Sequence, residues 1–369
     1  MSAGSSIVLT GVSKTFPGSD DPAVRPLDLE IAGGSLVVLI GPSGCGKTTT
    51  LRMINRLIEP TAGRITIGGA DIRNRSVTDL RRGIGYVIQQ VGLFPHRTIA
   101  QNVATVPKVL GWPRDRIRAR VEELVDLVGL DRTLLPRYPN ELSGGQQQRV
   151  GVARALAADP PVLLMDEPFG AVDPIVRSHL QNELLDLQAK VHKTIVLVTH
   201  DLDEAVALGD KVAIMNVGGV LEQYTDPDTL LAEPATEFVA SFLGTERSMK
   251  RLALSRVADL ELDDRLWADV GRGPAGLRVA MDATPSGWLG LVKDGRFAGW
   301  VDAEALAGAP TVDDLDPVPP AAKVSADSSL REALEVILTS RSAAAVVEDA
   351  DGRFRGLVEL EAIRRGLAR

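Results

Sequence analysis

The sequence predicts an α/β protein followed by a smaller α+β region. Three short apolar runs bounded by turn or charged residues are typical of buried parallel strands: Leu36–Ile40, Val162–Met165 and Thr194–Thr199. Helical patterns separate these runs, and strands that alternate with helices favour a layered α/β arrangement. With 369 residues, the chain is long enough for two or three domains, each burying its own core.

Two helical regions are predicted around these strands. The first follows a glycine-rich turn and covers Lys47–Ile58, with apolar residues at helical spacing. Between about residues 98 and 159, strand patterns nearly vanish, while Asp115–Gly129 carries one apolar helical face. The sequence therefore predicts a helical subdomain inserted at about residues 98–159.

The charge balance is acidic, since 41 Lys and Arg against 49 Asp and Glu give −8. A nucleic-acid binder usually shows a basic face, so no nucleic-acid partner is expected. The single cysteine, Cys45, excludes an internal disulfide. No apolar run approaches the roughly 18 residues of a membrane helix, and the first residues lack the pattern of a secretory signal. We therefore expect a protein of the reducing cytoplasm.

A glycine-rich motif links the first predicted strand to the helix that follows it. The motif fits G-x-x-x-x-G-K-[ST] and consists of Gly41, Pro42, Ser43, Gly44, Cys45, Gly46, Lys47 and Thr48, followed by Thr49. In such a loop, backbone N–H groups cradle phosphate oxygens and the helix N-terminus adds positive potential. Lys47 is suited to reach the β- and γ-phosphates, and Thr48 to offer its hydroxyl to Mg²⁺. The motif predicts a site for ATP and Mg²⁺.

Two acidic residues end the second predicted strand. Asp166 and Glu167 follow the apolar run Val162–Met165, and two adjacent acids are unusual at an ordinary strand end. Beside a phosphate loop, Asp166 would hold Mg²⁺ through its water shell, and Glu167 would polarise the attacking water as a general base. The alternative is a pair of solvated carboxylates.

The motif Leu-Ser-Gly-Gly-Gln lies between these two elements, at the entrance to a helix. It resembles the signature of ABC transporter ATPases, and its residues Ser143, Gly144, Gly145 and Gln146 would form a second phosphate-binding surface at a helix N-terminus. The resemblance implies that two copies pack head to tail as a homodimer, so that this surface caps the γ-phosphate held by Lys47 of the other copy. A simple helix cap by Ser143 is the alternative.

Four further positions match the same family. Phe16 resembles the aromatic residue that stacks on adenine, with a core phenylalanine as the alternative. Gln89 resembles the glutamine that links the Mg²⁺ shell to the helical subdomain, although the adjacent Gln90 fits as well. Asp173 ends a segment resembling the loop that crosses the dimer seam, and His200 resembles the switch histidine that contacts the γ-phosphate.

The resemblance covers about residues 6–244, and finer signals favour one subfamily. The segments Tyr86–Thr98, Asp166–Pro174 and Glu237–Gly244 look like those of importers of glycine betaine, carnitine and choline. This implies an ATP-hydrolysing subunit at the cytoplasmic face of the plasma membrane, with permease subunits whose coupling helices dock near Gln89–Arg97, and an extracytoplasmic substrate-binding protein. The alternatives are an importer ATPase for an amino acid, polyamine or oxyanion, and a soluble ABC ATPase outside transport.

The remaining chain resembles CBS modules. Two hairpins are predicted, at 288–301 and 343–358, each with a helix after it. A helix capped by Asp327, Ser328 or Ser329 precedes the second hairpin. The predicted domains are an ATPase domain over 1–246, a linker with a degenerate CBS-like half over 247–322, and a CBS-like module over 323–369. The opening helix of the first half is expected to be degenerate or missing.

The nucleotide positions of CBS modules are altered in this sequence. Nucleotide-binding members of that family place Ser or Thr, and then Asp, after the second hairpin strand. Here those positions hold Glu359 and Ala362, and in the upstream copy Asp302 and Ala305. The resemblance therefore favours a dimerising or ionic-strength-sensing region, with a structural appendage as the alternative.

Overall fold

A computed structural model describes residues 3–89, 92–170, 173–244, 247–262, 266–284 and 286–367. The chain divides into two compact units, a first unit over Met1–Gly244 and a second unit over Thr245–Arg369. Within the described ranges, every helix is too short or too polar to reach across a bilayer.

The first unit is built on two sheets. Its strands are β1 (Ile7–Lys14), β2 (Val24–Ile31), β3 (Leu36–Ile40), β4 (Ala62–Ile67), β5 (Ala70–Asp71), β6 (Ile84–Val87), β7 (Val162–Asp166), β8 (Thr194–Val198), β9 (Lys211–Asn216) and β10 (Val220–Thr225). The larger sheet has the order β10-β9-β3-β8-β7-β6 and is parallel except for β10. The smaller, antiparallel sheet has the order β2-β1-β4-β5.

The helices of the first unit lie between or after these strands along the chain. They are α1 (Lys47–Ile54), α2 (Val77–Arg82), α3 (Ile99–Val103), α4 (Thr105–Val109), α5 (Arg114–Leu127), α6 (Gly144–Leu156), α7 (Pro174–Val191), α8 (Leu202–Leu208), α9 (Pro227–Ala232) and α10 (Glu237–Leu243). Between β6 and β7 the described residues form only helices, turns and loops. The three predicted strands are all buried parallel strands, so the predicted α/β class is confirmed.

One predicted helix ends earlier than its apolar pattern. The pattern extends to Ile58, whereas α1 ends at Ile54. Asn55 is the C-cap, and Arg56 has a backbone φ of +48°, which takes the chain out of the helix. Leu57 is consequently an exposed residue outside the helix.

The second unit contains two copies of one topology. Its strands are β11 (Trp267–Asp269), β12 (Trp288–Lys293), β13 (Arg296–Asp302), β14 (Lys323–Val324), β15 (Ala344–Glu348) and β16 (Phe354–Glu359). Its helices are α11 (Arg247–Leu254), α12 (Gly273–Asp282), α13 (Ala303–Gly308), α14 (Leu330–Thr339) and α15 (Leu360–Leu367). In each copy a strand and a helix precede an antiparallel hairpin that pairs with the strand in parallel, and a helix follows. Both predicted hairpins are present, and Ser329 caps α14.

The opening helix of the first half, expected to be degenerate or missing, is present. Helix α12 occupies that place in the first copy, and its residues Leu277 and Met281 are buried. The segment Gly-Pro-Ala-Gly at its start has poor helix propensity, which explains why the sequence pattern was weak. Packing against the first hairpin compensates for this poor propensity, because Leu277 belongs to one core with Leu289 and Val301.

The chain segment that enters the second unit packs with the second copy. Leu252 and Val257 belong to the core of Val324, Leu330 and neighbouring residues. The backbone N–H of Val257 donates to Ser328 O at 3.0 Å. In sequence order, the first copy is therefore inserted between two parts of the second.

Candidate active site

The phosphate loop, Gly41–Thr48, lies between the end of β3 and the start of α1. Two of its positions require glycine. At Gly41 the backbone φ is +155°, and an added Cβ would lie 2.0 Å from the carbonyl oxygen of Met215. At Gly46 φ is +97°, and an added Cβ would lie 2.7 Å from the carbonyl oxygen of Ala23. The loop therefore approaches its neighbouring strands more closely than any side chain permits.

Lys47 is buried beside the backbone of this loop, with 7% of its surface exposed. Its Nζ donates hydrogen bonds to Gly41 O at 2.7 Å and to Pro42 O at 3.1 Å. The same Nζ lies 3.6 Å from Cys45 Sγ. These contacts hold the ammonium next to the loop amides, where a bound phosphate needs a positive charge.

Thr48 and Asp166 bring a hydroxyl and a carboxylate together. Thr48 Oγ1 donates to Asp166 Oδ1 at 2.9 Å, and Asp166 is 6% exposed at the end of β7. Mg²⁺ prefers oxygen ligands and usually takes only one or two from the protein beside water and substrate phosphates. Thr48 and Asp166 therefore fit an ion of this kind.

Glu167 is the centre of a second polar cluster. Its backbone φ is +47°, a conformation that few non-glycine residues adopt, and its N–H donates to Val198 O at 2.9 Å. Gln89 Nε2 donates to Glu167 Oε2 at 2.8 Å, and His200 Nδ1 lies 3.4 Å from Glu167 Oε1. The strands β6, β7 and β8 are neighbours in one parallel sheet, so the residues that follow them meet at one edge. The sequence predicted each of these three residues separately, and the fold brings their side chains together.

The signature residues form the first turn of α6. Ser143 is its N-cap, with its Oγ accepting from Gln146 N at 3.3 Å, while Gln146 Oε1 accepts from Ser143 N at 3.0 Å. The cap that was the alternative interpretation is therefore present. It does not exclude the phosphate surface, because the first N–H groups of a helix have no partners within the helix. An added Cβ on Gly144 would meet nothing within 4 Å, so the approach to this turn is open.

Two other predicted residues lie farther along the loops. Phe16 is 40% exposed, and Lys14 Nζ lies 5.2 Å from its ring centroid, so the core alternative is wrong. Adenine stacking stays a prediction. Asp173 is exposed, and its carbonyl oxygen accepts from Arg177 N at 2.8 Å in the first turn of α7. Gln90 and the two residues before Asp173 lie outside the described residues.

Sequence reasoning missed two neighbours of Asp166. Arg52 Nη2 lies 3.8 Å from Asp166 Oδ2, and Arg52 follows Lys47 on the same helix. Tyr86 is the second neighbour. Burial raises the pKa of its phenol, and the negative charge of Asp166 adds to this increase. The only signal in the sequence was a basic residue about one and a half turns after Lys47, which is common on any helix.

Comparisons with known proteins identify this arrangement. The family described as ABC transporter matches residues 24–170, and the CBS domain family matches residues 312–369. An osmoprotectant import ATP-binding protein, OsmV of Salmonella typhimurium, is 46% identical, covering 97% of this chain and 95% of its own length. The glycine betaine/carnitine/choline transport ATP-binding protein OpuCA of Bacillus subtilis is 49% identical, over 81% of this chain and 78% of its own length.

Other comparisons cover about three fifths of this chain. A sulfate/thiosulfate import ATP-binding protein of Synechococcus elongatus is 49% identical, covering 64% of this chain and 67% of its own length. A dimeric ATP-binding cassette, MJ0796, solved in a post-hydrolysis state with ADP and Pi, is 33% identical with a TM-score of 0.54, covering 60% of this chain and 98% of that chain. The chain therefore belongs to the ATP-binding subunits of ABC transporters, which hydrolyse ATP to drive transport, and it carries a CBS domain.

Proposed function

We propose that this chain is the ATP-hydrolysing subunit of an importer for quaternary-amine osmoprotectants such as glycine betaine, choline and carnitine. The observation that carries the proposal is the extent of the match to the osmoprotectant import protein, which includes the second unit. The sulfate/thiosulfate protein is as similar in identity but matches only 64% of the chain. Two relatives of the osmoprotectant group match well beyond the length of the first unit, covering 97% and 81% of this chain, and this favours the osmoprotectant group.

The proposed reaction uses residues of two copies of the chain. The phosphate loop and Lys47 of one copy bind the triphosphate of ATP, and Phe16 stacks on the adenine. Ser143–Gln146 of the other copy cap the γ-phosphate through the open first turn of α6. Support comes from the burial of Lys47 beside the loop backbone and from the open approach to Gly144. Asp173 would cross the seam between the copies.

Hydrolysis in this proposal depends on the cluster around Glu167. Its carboxylate accepts a proton from the attacking water, while Gln89 and His200 orient the carboxylate from either side. The hydrogen bond from Gln89 and the 3.4 Å approach of His200 support these roles. Thr48 and Asp166 would hold Mg²⁺, which would supply positive charge against the phosphates.

The partner surface of the first unit is proposed to be the loop that carries Phe94. This residue is 38% exposed, and the guanidinium of Arg97 lies 4.6 Å from its ring centroid. The buried Asn102 fixes the loop: its Nδ2 donates to Phe94 O and Arg97 O, and its Oδ1 accepts from Phe94 N. A shaped loop with an exposed aromatic ring suits a helix of a permease subunit. A substrate-binding protein would deliver the solute on the other side of the membrane.

Uptake measurements test the proposed function. Vesicles that contain this chain, its permease subunits and its binding protein should accumulate labelled betaine, choline or carnitine when ATP is supplied. Vesicles with the Glu167→Gln variant should accumulate none of them. Labelled sulfate serves as the matched solute. Uptake of sulfate without uptake of any of the three amines would exclude the proposed substrate class.

A further inference from the structure

The buried carboxylate of Glu204 contacts Thr199, the residue before His200, and has no part in the mechanism above. Glu204, in the first turn of α8, is only 4% exposed. Its Oε2 accepts a hydrogen bond of 2.6 Å from Oγ1 of Thr199, which is also buried. Burying a carboxylate without partners is strongly unfavourable. The groups that contact Glu204 therefore indicate its structural role.

Those surroundings fix the His200 turn, defined here as Thr199–Asp201. Asp201 N donates to Thr199 Oγ1 at 3.0 Å, and Asp201 Oδ1 accepts from the N–H groups of Asp203 and Glu204 at 2.8 and 3.3 Å. His200 itself has a side chain that is 64% exposed. The two residues beside His200 are therefore held by α8, while its imidazole stays accessible next to Glu167.

Arg177 connects this turn to helix α7. Its Nη1 lies 3.4 Å from Asp201 Oδ2, and its Nε lies 3.9 Å from Glu204 Oε1. Its backbone N–H donates to Asp173 O, so Arg177 stands in the turn of α7 that follows directly after Asp173. Arg177 thus contacts the residue proposed to cross the dimer seam through its backbone and the turn that carries His200 through its side chain.

We propose that Glu204 and Arg177 are positioning residues for ATP hydrolysis, which couple Asp173 to the placement of His200. This inference rests on the proposed function, because it assumes that Asp173 lies at the seam and that His200 orients the Glu167 carboxylate. Glu204 holds the turn through the hydrogen bond from Thr199. Arg177 holds it through its contacts with Asp201 and Glu204. A shift of α7 on dimer closure then moves the His200 turn as one piece.

The charges around Glu204 agree with this arrangement. Burial raises the pKa of the Glu204 carboxyl, and the hydrogen bond from Thr199 opposes this shift. The Asp201 carboxylate adds to the increase, while Arg177 and His200 act against it. Among these charges, Arg177 is a permanent cation on α7, an element separate from the turn and from α8.

Steady-state kinetics on the full chain test the proposal. Glu204→Gln keeps an acceptor for Thr199 but removes the charge that faces Arg177, and Arg177→Met removes the cation. We expect kcat for ATP hydrolysis to fall about 10- to 100-fold in either variant, as for a misplaced catalytic group. The dissociation constant of ATP should stay within about twofold of wild type, since neither residue contacts the phosphate loop. The double variant should be no slower than the slower single variant, because both act through one turn.

Asp186→Asn is the matched control, since it removes one exposed carboxylate from the same helix α7. It should hydrolyse ATP at the wild-type rate. Arg177→Lys keeps the charge and should recover part of the loss, which tests the proposal even if Glu204→Gln fails to fold. Wild-type kcat in Arg177→Met, or a parallel loss of kcat, ATP affinity and thermal stability, would overturn it. If the wild-type chain itself hydrolyses no ATP, the proposed function fails instead.

Discussion

The two units use polar residues at strand ends in different ways. In the first unit, Gln89, Glu167 and His200 follow three neighbouring strands, and Gln89 and His200 both contact Glu167. In the second unit, Asp302 ends β13, and its Oδ1 accepts from Ala305 N at 2.8 Å, so it caps the helix that follows. A carboxylate that meets side chains from other strands can build a site. One that caps its own helix contributes local stability instead.

The two units also differ in the residues that form their cores. The two sheets of the second unit share an aromatic core, in which the Trp267 and Phe354 ring centroids lie 5.0 Å apart and those of Phe297 and Phe354 lie 5.6 Å apart. Aromatic rings in such contact contribute packing beyond the area they bury. This core holds the two halves of the second unit together.

The largest of the predicted effects should come from Glu167→Gln in the first unit. ATP turnover should fall by about three orders of magnitude, because the amide cannot accept a proton from water. ATP binding should remain, and the nucleotide should trap a dimer that is visible by size-exclusion chromatography. Turnover at the wild-type rate would remove Glu167 from the role of general base.

Trp300→Ala in the second unit should instead lower stability and leave ATP turnover unaffected. Trp300 is 4% exposed in the aromatic core, and its loss should destabilise that unit by about 3–5 kcal/mol. ATP turnover by the first unit should be unchanged. Val279→Ala is the control, since Val279 is 72% exposed and its truncation should change stability by less than about 0.5 kcal/mol. Urea unfolding gives both values, and equal midpoints for the two variants would contradict the assigned core.

Removal of residues 245–369 should have a smaller effect that depends on salt. We expect ATP turnover of the shortened chain to stay within about twofold of wild type, because the active-site residues of this copy all lie in the first unit. Uptake in vesicles should lose its dependence on ionic strength if the second unit is regulatory. Unchanged salt dependence would leave the second unit as a structural appendage.

The smallest effect concerns pH and Glu204. Burial raises the pKa of this carboxyl above its ordinary value of 4.5, so the folded chain binds more protons than the unfolded chain above that pH. Stability should therefore fall as the pH rises from 4.5 through the raised pKa. Glu204→Gln should flatten this part of the profile, measured by urea unfolding at several pH values. Parallel profiles for the two proteins would contradict the shift.

The features predictable from the sequence are those with local signals. The strands β3, β7 and β8 are continuous apolar runs, and the phosphate loop has a fixed spacing, so both are recognisable without the fold. The left-handed backbone of Glu167 is different, since nothing in the residue type indicates it. It follows from the bond between Glu167 N and Val198 O, which exists only once β7 and β8 are paired.

Non-local packing accounts for what the sequence missed. Helix α12 forms from a weak pattern because Leu277 and Met281 find a core in the first hairpin. Arg177 and Glu204 lie on separate helices, and neither spacing nor composition brings them together. The segment of Leu252 and Val257 packs against residues far along the chain, which no local pattern can indicate.

The packing of that segment determines the order in which the second unit can fold during synthesis. Residues 247–262 leave the ribosome first, but their partners Val324 and Leu330 follow only about sixty residues later, which takes several seconds at usual translation rates. Until then Leu252 and Val257 have no core to enter. The later part of the second unit therefore completes the core of its earlier part, and an interrupted product would leave an apolar segment open to chaperones and proteases.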